Sequence, residues 1–259
     1  MKFLHLTDTH LLRPGDRLHE LNPYERLRAC VNDIVSEHAD AAFCVVTGDV
    51  ADRGEEGAYG AFVDLVSALP MPVYALVGNH DDRAVFKRSL PDVAVDENGF
   101  VQSILDCDEG RFLMLDTLDV GESHGRYCSL RQTWLKQALD SSHGRPVFLF
   151  MHHPPFDVGI PSLDRIGLVD KREFTQLLRG RDNIRHLFFG HVHRPINGSW
   201  KGIPVSTLYA TAHQVALDLV DSGALRYTHE RPTYAVVLIN EESVIIHHRD
   251  FLVPLPAIV

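Results

Sequence analysis

Short runs of apolar and β-branched residues recur along the chain. Each is followed by a polar break, and in the first half by a stretch with helical spacing. The runs predict strands over Lys2–Leu6, Ala42–Thr47, Pro72–Val77, Val101–Asp106, Arg111–Asp116, Pro146–Met151, Arg185–Phe189, Val205–Leu208, Tyr234–Asn240 and Ser243–Arg249, because branched and aromatic side chains suit a pleated surface. Helices are expected over Pro23–His38, Glu55–Leu69, Arg83–Ser89, Leu130–Ser141 and Lys171–Leu178. In the first, Leu27, Val31, Ile34 and Val35 share a face, as a helix packed on a sheet requires. Asn22-Pro23 supplies its N-cap and a first-turn proline. Strand–helix alternation in the first half implies an α/β layered fold. Two hairpin-like pairs, 101–106 with 111–116 and 234–240 with 243–249, add antiparallel strands, so the sheets are mixed. Residues 196–233 are the least regular part, expected to leave the core as a cap or subunit contact within a single domain, 1–259.

Composition narrows the class. A chain of 259 residues can bury a large core. The 35 acidic against 25 basic side chains, a net charge of −10, weigh against binding polymeric nucleic acid. No apolar run approaches the roughly 18 residues of a membrane helix, and the chain enters its first strand without a signal-like segment. Four cysteines (30, 44, 107 and 128) form neither a disulfide framework nor a CxxC pair, which predicts free thiols in the cytoplasm. The 16 histidines are in excess and call for a chemical reason.

That reason lies at the ends of five predicted strands. They are followed by Asp8-Thr9-His10, Gly48-Asp49-Val50-Ala51-Asp52, Gly78-Asn79-His80-Asp81, His152-His153-Pro154-Pro155 and Gly190-His191-Val192-His193. The carboxyl ends of strands are where open α/β sheets place their ligands. In extended chain, residues two apart point the same way, so Asp8 projects with His10 and His191 with His193. Glycine before Asp49, Asn79 and His191 permits a sharp turn and close approach to a ligand. Imidazole and carboxylate without cysteine suit Zn, Mn, Fe or Co in a reactive site and not a structural zinc knuckle. One carboxylate can bridge two such ions.

DxH, GDxxD, GNHD, HHPP and GHxH, in this order, resemble the calcineurin-like metallophosphoesterases. The extended second motif Gly48–Tyr59, Phe150–Pro155 and Thr211-Ala212-His213-Gln214 are similar to the branch of class III cyclic-nucleotide phosphodiesterases and bacterial glycerophosphodiesterases. The resemblance runs from about residue 3 to residue 214. It implies a four-layer α-β-β-α sandwich of two mixed sheets with a small cap. It implies one metal on Asp8, His10, Asp49 and His193, and a second on Asp49, Asn79, His152 and His191, with Asp49 as the bridge. It puts His80, Asn79 and His213 against the substrate, with His80 and Asp49 in catalytic roles. The implied reaction is hydrolysis of a small phosphodiester by in-line attack of a metal-bridging hydroxide. It further implies a homodimer or larger oligomer, built through the cap and the apolar tail Leu252–Val259.

Other readings compete. Gly48-Asp-Val-Ala-Asp-Arg53-Gly54 favours a phosphomonoesterase or phosphoprotein phosphatase on the same fold, with Arg53 on phosphate, although a solvated loop arginine is the plainer account. A binding module on a dead phosphoesterase fold is opposed by the intact ligand positions. Asp52 and Asp81 are expected either to orient ligands or to cap helices, and His153 to support its neighbour. Gly121-Glu-Ser123-His-Gly125 matches the nucleophile elbow of serine hydrolases but does not join a strand directly to a helix, so it is read as a loop. Net charge and anionic substrate are compatible, because two divalent ions outweigh the two carboxylates that hold them.

Overall fold

The computed structural model describes residues 1–90, 92–221 and 223–253. In chain order the elements are β1 (Lys2–Leu6), α1 (Pro23–Glu37), β2 (Cys44–Val46), α2 (Glu56–Val66), β3 (Val73–Ala75), α3 (Arg83–Ser89), β4 (Ser103–Cys107), β5 (Gly110–Met114), α4 (Ser129–Asp140), β6 (Val147–Met151), α5 (Pro161–Asp164), α6 (Lys171–Leu178), β7 (Ile184–Phe189), β8 (Ile196–Trp200), β9 (Ile203–Thr207), β10 (Gln214–Val215), β11 (Tyr227–Thr228), β12 (Thr233–Ile239) and β13 (Val244–Asp250).

Two mixed sheets form, in the orders β13-β12-β1-β2-β3 and β4-β5-β6-β7-β9-β8. Each contains a parallel run: β1, β2 and β3 in the first, where β3 forms the edge, and β5, β6, β7 and β9 in the second. Antiparallel strands complete the other flanks, and both expected hairpins, β4–β5 and β12–β13, are present. The central strands are apolar on both faces because both faces are covered. In β1, Leu4 and Leu6 turn toward helices α1–α3, whose Leu27, Ile34, Phe62 and Phe86 complete an outer core. Phe3 turns the other way and joins Val45, Phe112, Phe148, Phe150 and Phe188 between the sheets. Helices α4 and α6 cover the second sheet through Leu135, Leu139, Phe174 and Leu178. The result is the four-layer α-β-β-α sandwich. Its middle is dominated by aromatic contacts, among them Phe3–Phe43 with centroids 5.0 Å apart and Phe150–Phe188 at 4.8 Å. Such pairs contribute roughly 0.5–1.5 kcal/mol each beyond burial alone.

Several expectations change in detail. Asn22 caps α1 by accepting from the Glu25 amide, as read. Val35, however, is 40% exposed, and Cys30 fills the buried stripe with Leu27, Val31 and Ile34. Residues 196–233 do not leave the core as one excursion. Ile196–Trp200 and Ile203–Thr207 pair antiparallel as the edge of the second sheet, held there by burial of Ile203 and Val205. Among the described residues between β9 and β12, the β10–β11 ribbon is the only strand pairing, and beside it Leu217, Leu219 and Val220 are exposed. Of the apolar tail, 254–259 lie outside the described residues.

Candidate metal centre

All five motif loops leave the carboxyl ends of parallel strands and meet at one end of the sandwich. Asp8 and His10 follow β1, Asp49 follows β2, Asn79 and His80 follow β3, His152 follows β6, and His191 and His193 follow β7. Asp8, His10, Asp49, His191 and His193 all have positive φ, between 42° and 71°. That region is costly for residues with a Cβ, and such strain collects where side chains are aimed at a ligand. The motif glycines make the approach possible. A Cβ on Gly48 would lie 2.6 Å from His152 Nδ1, and one on Gly78 would lie 2.6 Å from the Asp49 amide nitrogen and 2.7 Å from His152 Cε1. A Cβ on Gly190 would lie 2.6 Å from the Thr47 carbonyl oxygen.

The structure brings together all seven residues proposed as ligands. Asp8, His10, Asp49 and His193 offer atoms that lie within 4.8 Å of one another. On the other side of Asp49, its Oδ2 is 3.3 Å from His152 Nε2. Asn79 Oδ1 is 3.2 Å from His152 Nε2 and 3.0 Å from His191 Nδ1. Asp49 Oδ2 also lies 3.6 Å from His10 Nε2, so one carboxylate borders both groups.

The donor set passes a direct test for a cation. His152 Nδ1 is 2.7 Å from the Thr47 carbonyl, and His193 Nδ1 is 2.8 Å from the His213 carbonyl. His10 Nδ1 is 3.0 Å from Asp52 Oδ1. These partners only accept, so each ring donates through Nδ1 and, when neutral, carries its lone pair on Nε2. His10 Nε2 and His193 Nε2 then face each other at 3.1 Å, with Asp8 Oδ1 3.3 Å from the latter. Buried lone pairs crowded this way repel unless a positive charge lies among them. One proton relieves one contact; multivalent cations relieve them all.

Titration behaviour reflects the same crowding. Burial opposes charge on Asp49, yet His152 and His80 hold its carboxyl well below the ordinary range. Burial likewise disfavours a charged His152, but the Asp49 carboxylate lifts it to about 9. Burial, with the charge of His152, lowers His191 to about 3. Burial lowers His213 as well, reinforced by His193 and His10.

The surrounding residues have distinct tasks. Asp52 does not cap a helix; its carboxylate holds His10 and its carbonyl accepts from His80 Nδ1 at 2.9 Å. Asp81 braces two loops by accepting from the amides of Val50, Ala51 and Gly78 and from the Tyr59 hydroxyl. The α3 cap is the next residue, Asp82. His153 is buried against His191 and bonds Thr117 Oγ1 at 2.8 Å. Arg53 has a 66% exposed side chain and lies on the solvent side of Asp52. Ser123 sits in an exposed loop between β5 and α4, and Gly125 packs on His153, so no nucleophile elbow exists there. His213 is brought to the cluster, its ring 4.6 Å from that of His193. His19 and Tyr227, which sequence reasoning did not name individually as site residues, stack at 4.3 Å beside His213 and wall the cleft. Neither lies near a motif, and no local signal marks them. A cavity of about 850 Å³ lies elsewhere, between α6 and the β8–β9 turn, lined by Phe156, Trp200 and Lys171; among the described residues it holds no cluster of ligand atoms.

Comparisons with known proteins bear on the family and the fold. The family model described as calcineurin-like phosphoesterase matches residues 1–195. A protein of Rhodopseudomonas palustris named as a probable cyclic nucleotide phosphodiesterase is 41% identical over 97% of this chain and 93% of its own length. A protein of Mycobacterium tuberculosis named as a cAMP/cGMP dual specificity phosphodiesterase is 31% identical over 85% of this chain and 70% of its own. Among solved structures, a dimetal phosphatase from Danio rerio superposes with a TM-score of 0.73 at 15% identity, covering 96% of each chain.

Proposed function

Because the chain belongs to the calcineurin-like phosphoesterase family, we propose that it is a metal-dependent phosphodiesterase acting on small diesters such as cyclic nucleotides or glycerophosphodiesters. Relatives carrying those names support the substrate class. The observation that carries the choice of diester over monoester is the cleft lining. One wall presents His10, Asp49, Asn79, His80, His191 and His193; the other presents Leu163, Ile166, Val215 and Leu225; neither contains Lys or Arg. A monoester dianion needs more positive charge than a diester monoanion, and the solvated Arg53 is not among the residues that line the cleft.

We assign Asp8, His10, Asp49 and His193 to one cation and Asp49, Asn79, His152 and His191 to a second, drawn from Mn, Fe, Zn or Co. When bound, the ions supply Lewis acidity and lower the pKa of water toward neutrality. The chain supplies the rest. His80 is anchored twice, by its amide to Asp49 Oδ1 at 2.8 Å and by Nδ1 to the Asp52 carbonyl. That leaves Nε2 facing the cleft. Burial opposes a charged His80, but Asp49 and Asp52 favour it, and only in that imidazolium form does Nε2–H donate to a phosphoryl or leaving-group oxygen, worth roughly 10²–10⁴ in rate if the proton moves. His213 and Asn79 face the same space and position the substrate.

The test is parallel turnover of an aryl phosphodiester and its monoester by metal-loaded protein. Diester turnover should dominate; substantial monoester turnover with negligible diester turnover sinks this reading. Four free cysteines fit the reducing cytoplasm, and among the described residues no helix is long and apolar enough to cross a membrane. The exposed Leu217, Leu219 and Val220 support a homodimer built on the 216–226 segment. Sedimentation should show the dimer, and Leu217→Asp should reduce it to monomer; a wild-type monomer at high concentration contradicts it.

A further inference from the structure

Beneath Asp8 runs a chain of buried hydrogen bonds that no motif announces. Thr7 Oγ1 donates to Asp8 Oδ2 at 2.5 Å. Thr47 Oγ1 donates to Thr7 Oγ1 at 2.8 Å. His5 Nε2 lies 2.9 Å from Thr47 Oγ1. All four residues are at most 1% exposed. The order of donors is forced. A carboxylate only accepts and each hydroxyl has one hydrogen, so Thr7 gives its hydrogen to Asp8, Thr47 gives its own to Thr7, and His5 completes the series through Nε2–H.

Two features separate this series from ordinary core satisfaction. The first is where it begins. His5 shares its face of β1 with Phe3 and meets Phe188 at 5.6 Å and Phe150 at 6.2 Å, a place where an apolar ring costs less than an imidazole. The second is where it ends. The His191 amide lies 3.2 Å from both oxygens of Asp8 and does not distinguish them. Thr7 does, occupying Oδ2 and leaving Oδ1 toward His193 Nε2. Thr47 also serves the other ligand group, but through its backbone carbonyl to His152.

We propose that His5, Thr47 and Thr7 form a positioning relay that holds Asp8 as a one-oxygen ligand and so sets cation affinity in the Asp8–His10–Asp49–His193 group alone. The inference rests on the metal-site assignment above. Its prediction is selective: side-chain changes in the relay weaken one binding step and leave the step that involves His152 unchanged, because Thr47 keeps its carbonyl in every variant. A role in packing alone would move both.

The experiment is a cobalt(II) titration of the full chain stripped of metal, followed by d–d absorption and calorimetry. Wild type should take up two ions. Thr7→Val and Thr47→Val should each weaken one step about 10- to 100-fold, the usual range for groups that orient a ligand. Thr47→Ser keeps the hydroxyl and should bind like wild type. His5→Phe should weaken the same step less, and His5→Gln, which restores an N–H donor, should recover it. Unchanged far-UV circular dichroism and melting temperature of the stripped variants separate lost affinity from lost fold; should Thr7→Val misfold, the Thr47→Val and Thr47→Ser pair decides. Equal weakening of both steps, or wild-type affinity in Thr47→Val, overturns the relay and leaves the metal-site reading standing. A wild type that takes up fewer than two ions overturns that reading itself.

Discussion

The two sheets contribute different chemistry to one site. The first, through β1, β2 and β3, brings every oxygen atom assigned to the cations: Asp8, Asp49 and Asn79, with His10 beside them. The second, through β6 and β7, brings only imidazoles: His152, His191 and His193. Many of the close contacts cross between the sheets: Asp8 with His193, Asp49 with His152, Asn79 with His191 and with His152, and His10 with His193. Asp49 with His10 stays within the first. Negative charge therefore resides in one sheet and neutral donation in the other, and neither half holds a complete ligand set.

This division can be broken experimentally. The largest effect is expected at Asp49, which borders both groups and carries half of the carboxylate charge. Asp49→Asn should cut diester turnover about 10³-fold, the equivalent of several kcal/mol of lost Lewis-acid stabilisation. His152→Asn, which removes one neutral donor, should cost roughly tenfold less. Equal losses in steady-state assays at saturating metal would erase the distinction between the sheets. An intermediate effect is expected at Gly78, where a Cβ would press on Asp49 and His152 at once. Overpacking there costs about 1–3 kcal/mol, so Gly78→Ala should weaken cobalt uptake roughly 5- to 150-fold while the chain still folds; wild-type uptake would show that the two sheets are not locked at this point.

The smallest effect sharpens the comparison from behind the site. His5 and His186 lie in the aromatic layer between the sheets, where burial lowers them from 6.5 to about 3 and about 4. Above pH 6.5 both are neutral in folded and unfolded chains and contribute no pH dependence. As pH falls below 6.5 the unfolded chain takes up protons that the folded chain refuses, so stability declines toward pH 4. The slope is up to about 1.4 kcal/mol per pH unit for each group. Denaturant unfolding of metal-free His186→Phe between pH 7 and 4 should show a shallower decline than wild type; an identical slope would place the titration elsewhere.

Much of this was legible because each motif is local. A strand, a glycine and a ligand lie within a few residues, and the carboxyl ends of parallel strands converge by topology. Elements with weak local signals were less visible. Strand β8 reads Ile-Asn-Gly-Ser-Trp, too polar for a core strand, and becomes one only because β9 offers an edge. Val35 fits the helical period but falls at the margin of the stripe that Cys30 fills. The residues supporting the ligands were harder still. Thr7 and Thr47, each the residue just past a strand, are unremarkable until β1 and β2 pair in parallel, with Leu6 opposite Val46, and bring the two hydroxyls together. Tyr227 reaches the cleft only through the β10–β11 ribbon.

The position of β1 has a consequence for synthesis. It precedes every other described strand in the chain, yet it lies between β2 and β12. At about 5–20 residues per second, β12 follows it by on the order of 10–45 s. Throughout that interval one edge of β1 has no partner, with its N–H and C=O groups open to any passing strand. All seven assigned ligands, the last of them His193, leave the ribosome before Thr233 begins to close that edge. The nascent chain thus carries all seven assigned ligands while the first sheet is still open.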